Sequence, residues 1–562
     1  MLAVLLLVLA VLCVYVQSLG GPFLWDDRLL VLDAPLVEKA ASLTDYFRNP
    51  FWMGAGAQVR DPSYYRPLVT LSFAFDHRLH ASNPGGYHLT NVALHLASAL
   101  CLYALLRRGR VRSPVAALAC AAWALQPRLA EAVAWISGRT DVLAGLFVLA
   151  ALLAWKEGLG RRVLSAAFFG LALGAKESAV ALPFAIAASE GWRAHSTGER
   201  GLRTLQSAVI PVLPHAVVLI LYAVGRVLAV GYPRTHSPLG AGHRTLTVLQ
   251  AAGTYAISLL DPWQPRAVIG RIGAFRMPVI AAGALALLVA GALLFRARRH
   301  LTPDMVRGLT LAAGSLLPVL HLVPIPLRTL AADRFLYLPT AGLALALAPL
   351  ADRFLGLVRV RWIAASAVTL SLSAVAFVRV GVWSDELEFW VRTYLETPTT
   401  NNAATTELLG VYYRAGRYRE ALALAARARD YDDPNQRDAA YNAALCLNRL
   451  GEHAEAERGL LALRKPGSFN ADIESELALI AVQTGRIAEA RPRLAELVRR
   501  GDARGRFLAA RLDELAAARA ALVALPPGAA PERRARLASL LGEERMATRA
   551  WRAVVAAPGS PP

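Results

Sequence analysis

The stretch 170-GLALGAKESAVALPF-184 sets Lys176 and Glu177 inside an apolar run covering about 163–190. An ionisable pair is expensive at membrane depth, so it marks a functional site by default. The run has two readings. It is one long helix with the pair at its centre, or two short helices broken at Lys176–Glu177. Discontinuous helices are tolerated within a membrane where they line a cavity. The broken form is preferred here, and it puts Lys176 at the outer face.

Working outward, the same apolar character fills most of residues 1–383, whereas the remainder is charged and Ala-rich. Overall the chain is 56% hydrophobic, against about 45–50% for an ordinary soluble domain. The shift divides it into a membrane part and a soluble part. Runs suited to crossing a bilayer lie at 2–19, 88–106, 140–155, 207–230, 277–295, 308–323, 335–350 and 362–380, with a shorter one at 114–126. A crossing helix needs about 20 apolar residues. If 163–190 is broken, 245–260 is interfacial; if it is continuous, 245–260 spans. Either way about eleven spans are expected.

The formal charge of +20 does not indicate nucleic acid, because no basic stripe with interleaved aromatics occurs. Much of the charge sits in the short loops 107–112, 156–162, 296–307 and 351–361. Basic loops stay cytoplasmic. The N-terminus is then inside, while the loop 20–87 and everything after 380 are outside. The first run lacks a basic n-region and a clear cleavage site, so it reads as a retained span. The four cysteines follow no metal or disulfide spacing.

The soluble part carries a repeat. GRYREALALA from Gly416, GEHAEAERGL from Gly451 and GRIAEARPRL from Gly485 are spaced 35 and 34 residues apart, with Ala421, Ala456 and Ala490 at one offset. That period marks a tetratricopeptide solenoid over 384–500. Residues 501–555 read as a helical extension or degenerate repeats, and 556–562 as a disordered tail. Solenoids present a concave face to extended peptides or partner helices. The expected fold is therefore all-α: a polytopic membrane bundle followed by an α-solenoid.

Short outer loops disfavour positive charge, so the cations there need a reason. They are Arg128, Arg139, Lys176, Arg328 and Arg334, with Arg66 in YYRPL of the long loop. Among them lie Asp26 and Asp27 in FLWDD, Glu131, Asp141, Glu177 and Asp333. Converging at the outer surface, they form a cationic pocket with a few carboxylates. Such a pocket suits a lipid with a phosphate head group. Cations stabilise a departing phosphate, and a carboxylate takes the proton from an attacking hydroxyl. The structural alternative is a helix cap at Asp26–Asp27 and simple ion pairs at Lys176–Glu177, Asp333–Arg334 and Arg139–Asp141. His88, Asn91 and His95 share one face of a span, where hydrogen bonding between helices competes with ligand binding. No phosphate-binding glycine loop is present.

FLWDD, YYRPLVTLSFAFDHRL, NPGGYHLTNVALHLASAL, LAEAVAWISGRTDVLAGLFVLAALLA, GAKESAVALP and DRFLYLPTAGL occur in that order ahead of the repeats. This order resembles the transmembrane and tetratricopeptide repeat-containing O-mannosyltransferase family, of the GT-C superfamily. The resemblance runs from about residue 20 to about residue 500. It implies an acidic pair in the first outer loop, one member acting as base, and Asp26 and Asp27 match that position. It implies a polyprenyl-phosphate sugar as donor, a Ser or Thr hydroxyl of a protein as acceptor, and inversion at the anomeric carbon. Arg66, Arg139, Lys176 and Arg334 match basic positions in its motifs and are assigned to the phosphate. His88, Asn91, His95, Glu131, Asp141, Glu177 and Asp333 are assigned supporting roles. No metal ligand is assigned, although some GT-C enzymes use a divalent metal, which an oxygen-rich set including Asp26 and Asp27 would suit. The family usually reads His-Pro-x-His-Thr-Glu where this chain has Gln126-Pro127-Arg128-Leu129-Ala130-Glu131. Loss of both imidazoles leaves a second reading open, an inactive membrane-anchored scaffold for an envelope complex. The Ala/Arg-rich composition suggests a bacterial inner-membrane protein with its repeats in the periplasm, recruiting the acceptor.

Overall fold

A computed structural model describes residues 2–39, 41–52, 64–231, 241–267, 269–270, 275–322, 329–356, 358–396, 402–428, 436–464, 469–526, 530–542, 546–547 and 550. Arg328 and the tail 556–562 lie outside the described residues. Among the described residues the fold is all-α. The one extended pairing is an isolated bridge between Ile269 and Ala331. The chain divides into two units, Met1–Phe389 and Trp390–Pro562.

Among the described residues of the first unit, seven helical segments are long and apolar enough to cross a membrane: Leu2–Gly20, Pro84–Arg108, Ile136–Ala154, Leu202–Val230, Met277–His300, Asp333–Leu355 and Arg359–Val382. The other apolar runs form Ser113–Ala124 and Pro303–Leu316. Residues 245–260 fall in Ala241–Leu260, which packs on Met277–Ala297. The run 163–190 is broken. Helix Leu159–Ala175 ends at Lys176, whose backbone is extended (φ −160°, ψ 142°). A 3-10 turn over Glu177–Val180 leads into helix Ala181–Ser196.

Packing follows composition. Val148, Leu152, Phe169, Leu182, Ile186 and Leu311 form one buried cluster. Leu228, Leu285, Leu288 and Leu370 are largely exposed; in a bilayer such side chains meet lipid, which is as apolar as they are. Small residues let backbones touch. A side chain at Gly308 would strike the carbonyl of Gly342, and one at Gly342 the carbonyl of Gly308. That contact joins Pro303–Leu316 to Tyr337–Leu355. At a second close approach, a side chain at Gly253 would strike the carbonyl of Val279, and one at Gly283 the carbonyl of Leu249.

The second unit is a series of helix pairs: Asn402–Arg414 with Tyr418–Ala428, Gln436–Arg449 with His453–Ala462, and Ala471–Gln483 with Ile487–Arg499. The turns within the pairs hold Gly416, Gly451 and Gly485 at φ 69°, 82° and 84°. L-residues with side chains avoid that region. Ala421, Ala456 and Ala490 are fully buried, as close helix approach requires. Three further helices follow, Ala503–Ala510, Leu512–Ala524 and Pro531–Leu540.

Candidate active site

The helix break at Lys176 is the centre of the site. Nothing in an extended residue points the side chain back along its own helix. Lys176 Nζ instead reaches Asp141 Oδ1 at 2.5 Å, in the first turn of Arg139–Ala154. A helix N-terminus favours a carboxylate there. The ammonium also lies 4.5 Å from the centre of the Phe335 ring, a cation–π contact.

Arg66 enters from the other side. It precedes Pro67 at the start of Pro67–His80, and its Nη2 lies 3.1 Å from Glu177 Oε2. Its guanidinium sits over Tyr64 at 4.7 Å and Phe51 at 5.4 Å. Its Nε is buried without a hydrogen-bond partner.

Arg334 comes from the 3-10 turn Asp333–Leu336. Its guanidinium pairs with Glu131 Oε1, and its backbone N–H donates to Glu131 Oε2 at 2.9 Å. The cation lies 5.3 Å from the Trp135 ring and 4.8 Å from the Phe335 ring. Trp25 stacks on Trp135 at 5.0 Å. Asp26, half-buried beside Trp25, is within electrostatic reach of Arg334. Asp141 reaches both Arg66 and Arg334 electrostatically, and both cations act on Lys176. Burial pushes the Glu131 carboxyl up to about 7, against the pull of Arg334.

Seven of the predicted residues therefore meet: Asp26, Arg66, Glu131, Asp141, Lys176, Glu177 and Arg334. Each of the three cations has its own carboxylate, Asp141 for Lys176, Glu177 for Arg66 and Glu131 for Arg334, because burial of unpaired charge is costly.

The remaining candidates are placed elsewhere. Asp27 is fully buried. Its Oδ2 accepts from Leu24 N at 2.9 Å, and its Oδ1 accepts from Ser137 N at 2.8 Å and Ser137 Oγ at 2.5 Å. Burial pushes its carboxyl up to about 7. It ties the first loop to the turn before Arg139. Arg139, assigned to phosphate from the sequence, is fully buried and pairs with Asp76 at 2.6 Å. It also donates to Tyr87 O at 2.8 Å and Asn91 Oδ1 at 2.7 Å. Asn91 Nδ2 donates to Trp135 O at 3.0 Å. His95 sits between Tyr337 OH at 2.8 Å and Ala124 O at 3.1 Å. His88 is buried beside the backbone of Gly21. Asp333 accepts from Arg128 Nη1 at 2.6 Å and Arg266 N at 2.5 Å. These groups hold the turns that present the site.

Among the described residues, no three His, Cys, Asp or Glu side chains are grouped to hold a metal ion. The sequence reading missed the aromatic walls Trp25, Tyr64, Trp135 and Phe335. The signal was present for two of them, since Trp25 adjoins Asp26 in FLWDD and Phe335 adjoins Arg334 in DRFLY, whereas Tyr64 stands two residues before Arg66 and Trp135 four after Glu131. It also missed Asp76, although Asp76 lies in the quoted motif YYRPLVTLSFAFDHRL beside His77 and Arg78.

No family model matches the chain, and no solved structure matches it. Curated proteins do. The Protein O-mannosyl-transferase F38B6.6 of Caenorhabditis elegans is 32% identical over 142 residues, 25% of this chain and 21% of that protein. The Protein O-mannosyl-transferase TMTC2 of Mus musculus is 34% identical over 164 residues, 29% of this chain and 20% of that protein. The Protein O-mannosyl-transferase TMTC1 of Homo sapiens is 33% identical over 156 residues, 27% and 18%. Each match spans only about a fifth of the relative's own length. The resemblance read from the motifs is borne out in that shared stretch: over about a quarter of its length, this all-α chain is similar to animal protein O-mannosyl-transferases.

Proposed function

We propose that the first unit is a membrane glycosyltransferase that moves a mannose-like sugar from a polyprenyl phosphate to a hydroxyl of an exported protein. The convergence of Arg66, Lys176 and Arg334 with Asp26 carries this reading. Asp26 takes the proton from the acceptor hydroxyl. The oxygen attacks the anomeric carbon, and the bond from that carbon to the phosphate oxygen breaks. One displacement inverts the centre. The departing lipid phosphate gains negative charge, which the three cations stabilise more strongly than the intact donor. Glu131, with a carboxyl near neutrality, accepts a proton at low cost and so releases Arg334 toward the phosphate. Trp25 and Trp135 offer a flat apolar face for the sugar ring. The helix pairs of the second unit, read as tetratricopeptide repeats in the periplasm of a bacterium, capture the acceptor and raise its local concentration.

The test is Asp26→Asn in the full chain, assayed for sugar transfer from a polyprenyl-phosphate donor to exported protein. A loss of about 10²–10⁴-fold is expected for removal of a general base, with the melting temperature unchanged. Full turnover in Asp26→Asn overturns the assignment. The scaffold alternative is favoured by Gln126 and Leu129 at the two histidine positions. It requires an unchanged glycan profile in Asp26→Asn together with an envelope defect when the repeats are disrupted.

A further inference from the structure

A partly open cavity lies at the opposite ends of two helices that build the site. It has a volume of about 810 Å³, within the roughly 300–1,000 Å³ of small-molecule pockets. Helix Arg139–Ala154 runs from Asp141 at the site to Leu152 at this cavity, and Leu159–Ala175 runs back from Arg162 to Lys176. None of the candidate-site residues Asp26, Arg66, Glu131, Asp141, Lys176, Glu177 and Arg334 lines this cavity.

The cavity has a charged rim and an apolar floor. Leu105, Leu106, Leu152, Leu345 and Pro349 form the floor. Much of the rim charge is already committed. Glu190 accepts from Trp155 Nε1 at 3.1 Å and pairs with Arg193 at 3.1 Å and Arg307 at 3.6 Å. Arg307 also holds Asp304 at 2.9 Å and Ser189 Oγ at 3.1 Å. Glu199 accepts from Ser207 Oγ at 2.7 Å. Arg108 spends its guanidinium on the carbonyls of Leu153 and Trp155 at the end of a helix.

Arg162 differs. Its Nε is buried without a hydrogen-bond partner, although a buried donor normally finds one. Lys156 stands exposed on the same rim. Both belong to the basic loop 156–162, one of those read as cytoplasmic from charge, and Glu157 of the same loop also lines the cavity. Basic pockets between membrane helices on that side bind anionic head groups.

We propose that this cavity binds a phosphate group, seated by Arg162 and Lys156, with the apolar floor taking the stem of a phospholipid. It is separate from the donor site and stands without the glycosyltransferase reading. The full chain in non-ionic detergent is titrated with dihexanoyl-phosphatidylglycerol, dihexanoylglycerol or inorganic phosphate, with the melting temperature as readout. A rise with the phospholipid and none with dihexanoylglycerol is expected. An equal rise with inorganic phosphate keeps the phosphate seat and assigns it to the free ion. In Arg162→Gln the half-saturating concentration should rise about tenfold, as loss of one charge-assisted bond implies, and Arg162→Lys should recover part of it. The proposal is overturned by no response to either phosphate, or by a response that survives Arg162→Gln. A response that Arg66→Gln abolishes and Arg162→Gln leaves intact belongs to the donor site and likewise overturns it.

Discussion

Lys176 donates to Asp141, 35 residues away, at 2.5 Å, and not to Glu177 beside it. Both partners of this ion pair are largely buried, each side chain 7% exposed. Removing one partner of a buried pair costs about 3–5 kcal/mol, because the other is left uncompensated. Lys176→Ala is therefore expected to lower stability by about that amount. The double variant Lys176→Gln with Asp141→Asn removes both charges together and should stay within about 1.5 kcal/mol of the parent. Denaturation of the three proteins in detergent checks this, and equal stability of the single and double variants would sink the pairing.

Transfer activity should separate from stability in the double variant. It folds, yet it lacks a cation beside the departing phosphate. A loss of roughly 10²–10³-fold in kcat is expected, as for removal of one preorganised charge or donor. Wild-type turnover in the folded double variant would show that the Lys176–Asp141 pair is structural only.

Two carboxyls give the fold a pH signature. Asp27 and Glu131 are both raised to about 7 by burial. The folded state then holds protons that the unfolded chain has released, so these groups favour folding fully below about pH 4 and lose that contribution as pH rises through about 7. In Asp27→Asn the decline between those limits should become shallower, because one of the two groups is gone. Identical slopes in the parent and Asp27→Asn would show that Asp27 is ionised in the fold.

The repeat alanines leave no room. Ala456 is fully buried between the helices of its pair, so Ala456→Leu should destabilise the second unit by about 1–3 kcal/mol through overpacking. If the repeats capture the acceptor, KM for the protein substrate rises while kcat holds. A fall in kcat with unchanged KM would speak against recruitment.

The helical class and the break at Lys176 were legible from hydropathy and from one misplaced charge. The motif positions also led to seven residues that meet. The pairings were not legible. Lys176–Glu177, Asp333–Arg334 and Arg139–Asp141 each look like an ion pair in the sequence, and all three exchange for distant partners: Asp141 and Arg66, Arg128 and Glu131, Asp76 and Lys176. Arg139 and Asp141, two apart on one helix, do not face each other, and the other two pairs sit at a helix break and in a 3-10 turn. Adjacent opposite charges therefore point to different neighbours, and only the assembled bundle shows which. Asp27 misled for a related reason, since its backbone partners carry no side-chain mark in the sequence.

The meeting of Gly308 with Gly342 has an evolutionary consequence. Gly342 lies eight residues beyond Arg334 along the same continuous rod, and a methyl group at either glycine would wedge the rods apart. A drifting lineage can repaint the lipid-facing leucines freely, but at these two positions it has no smaller letter to choose and no larger one to survive.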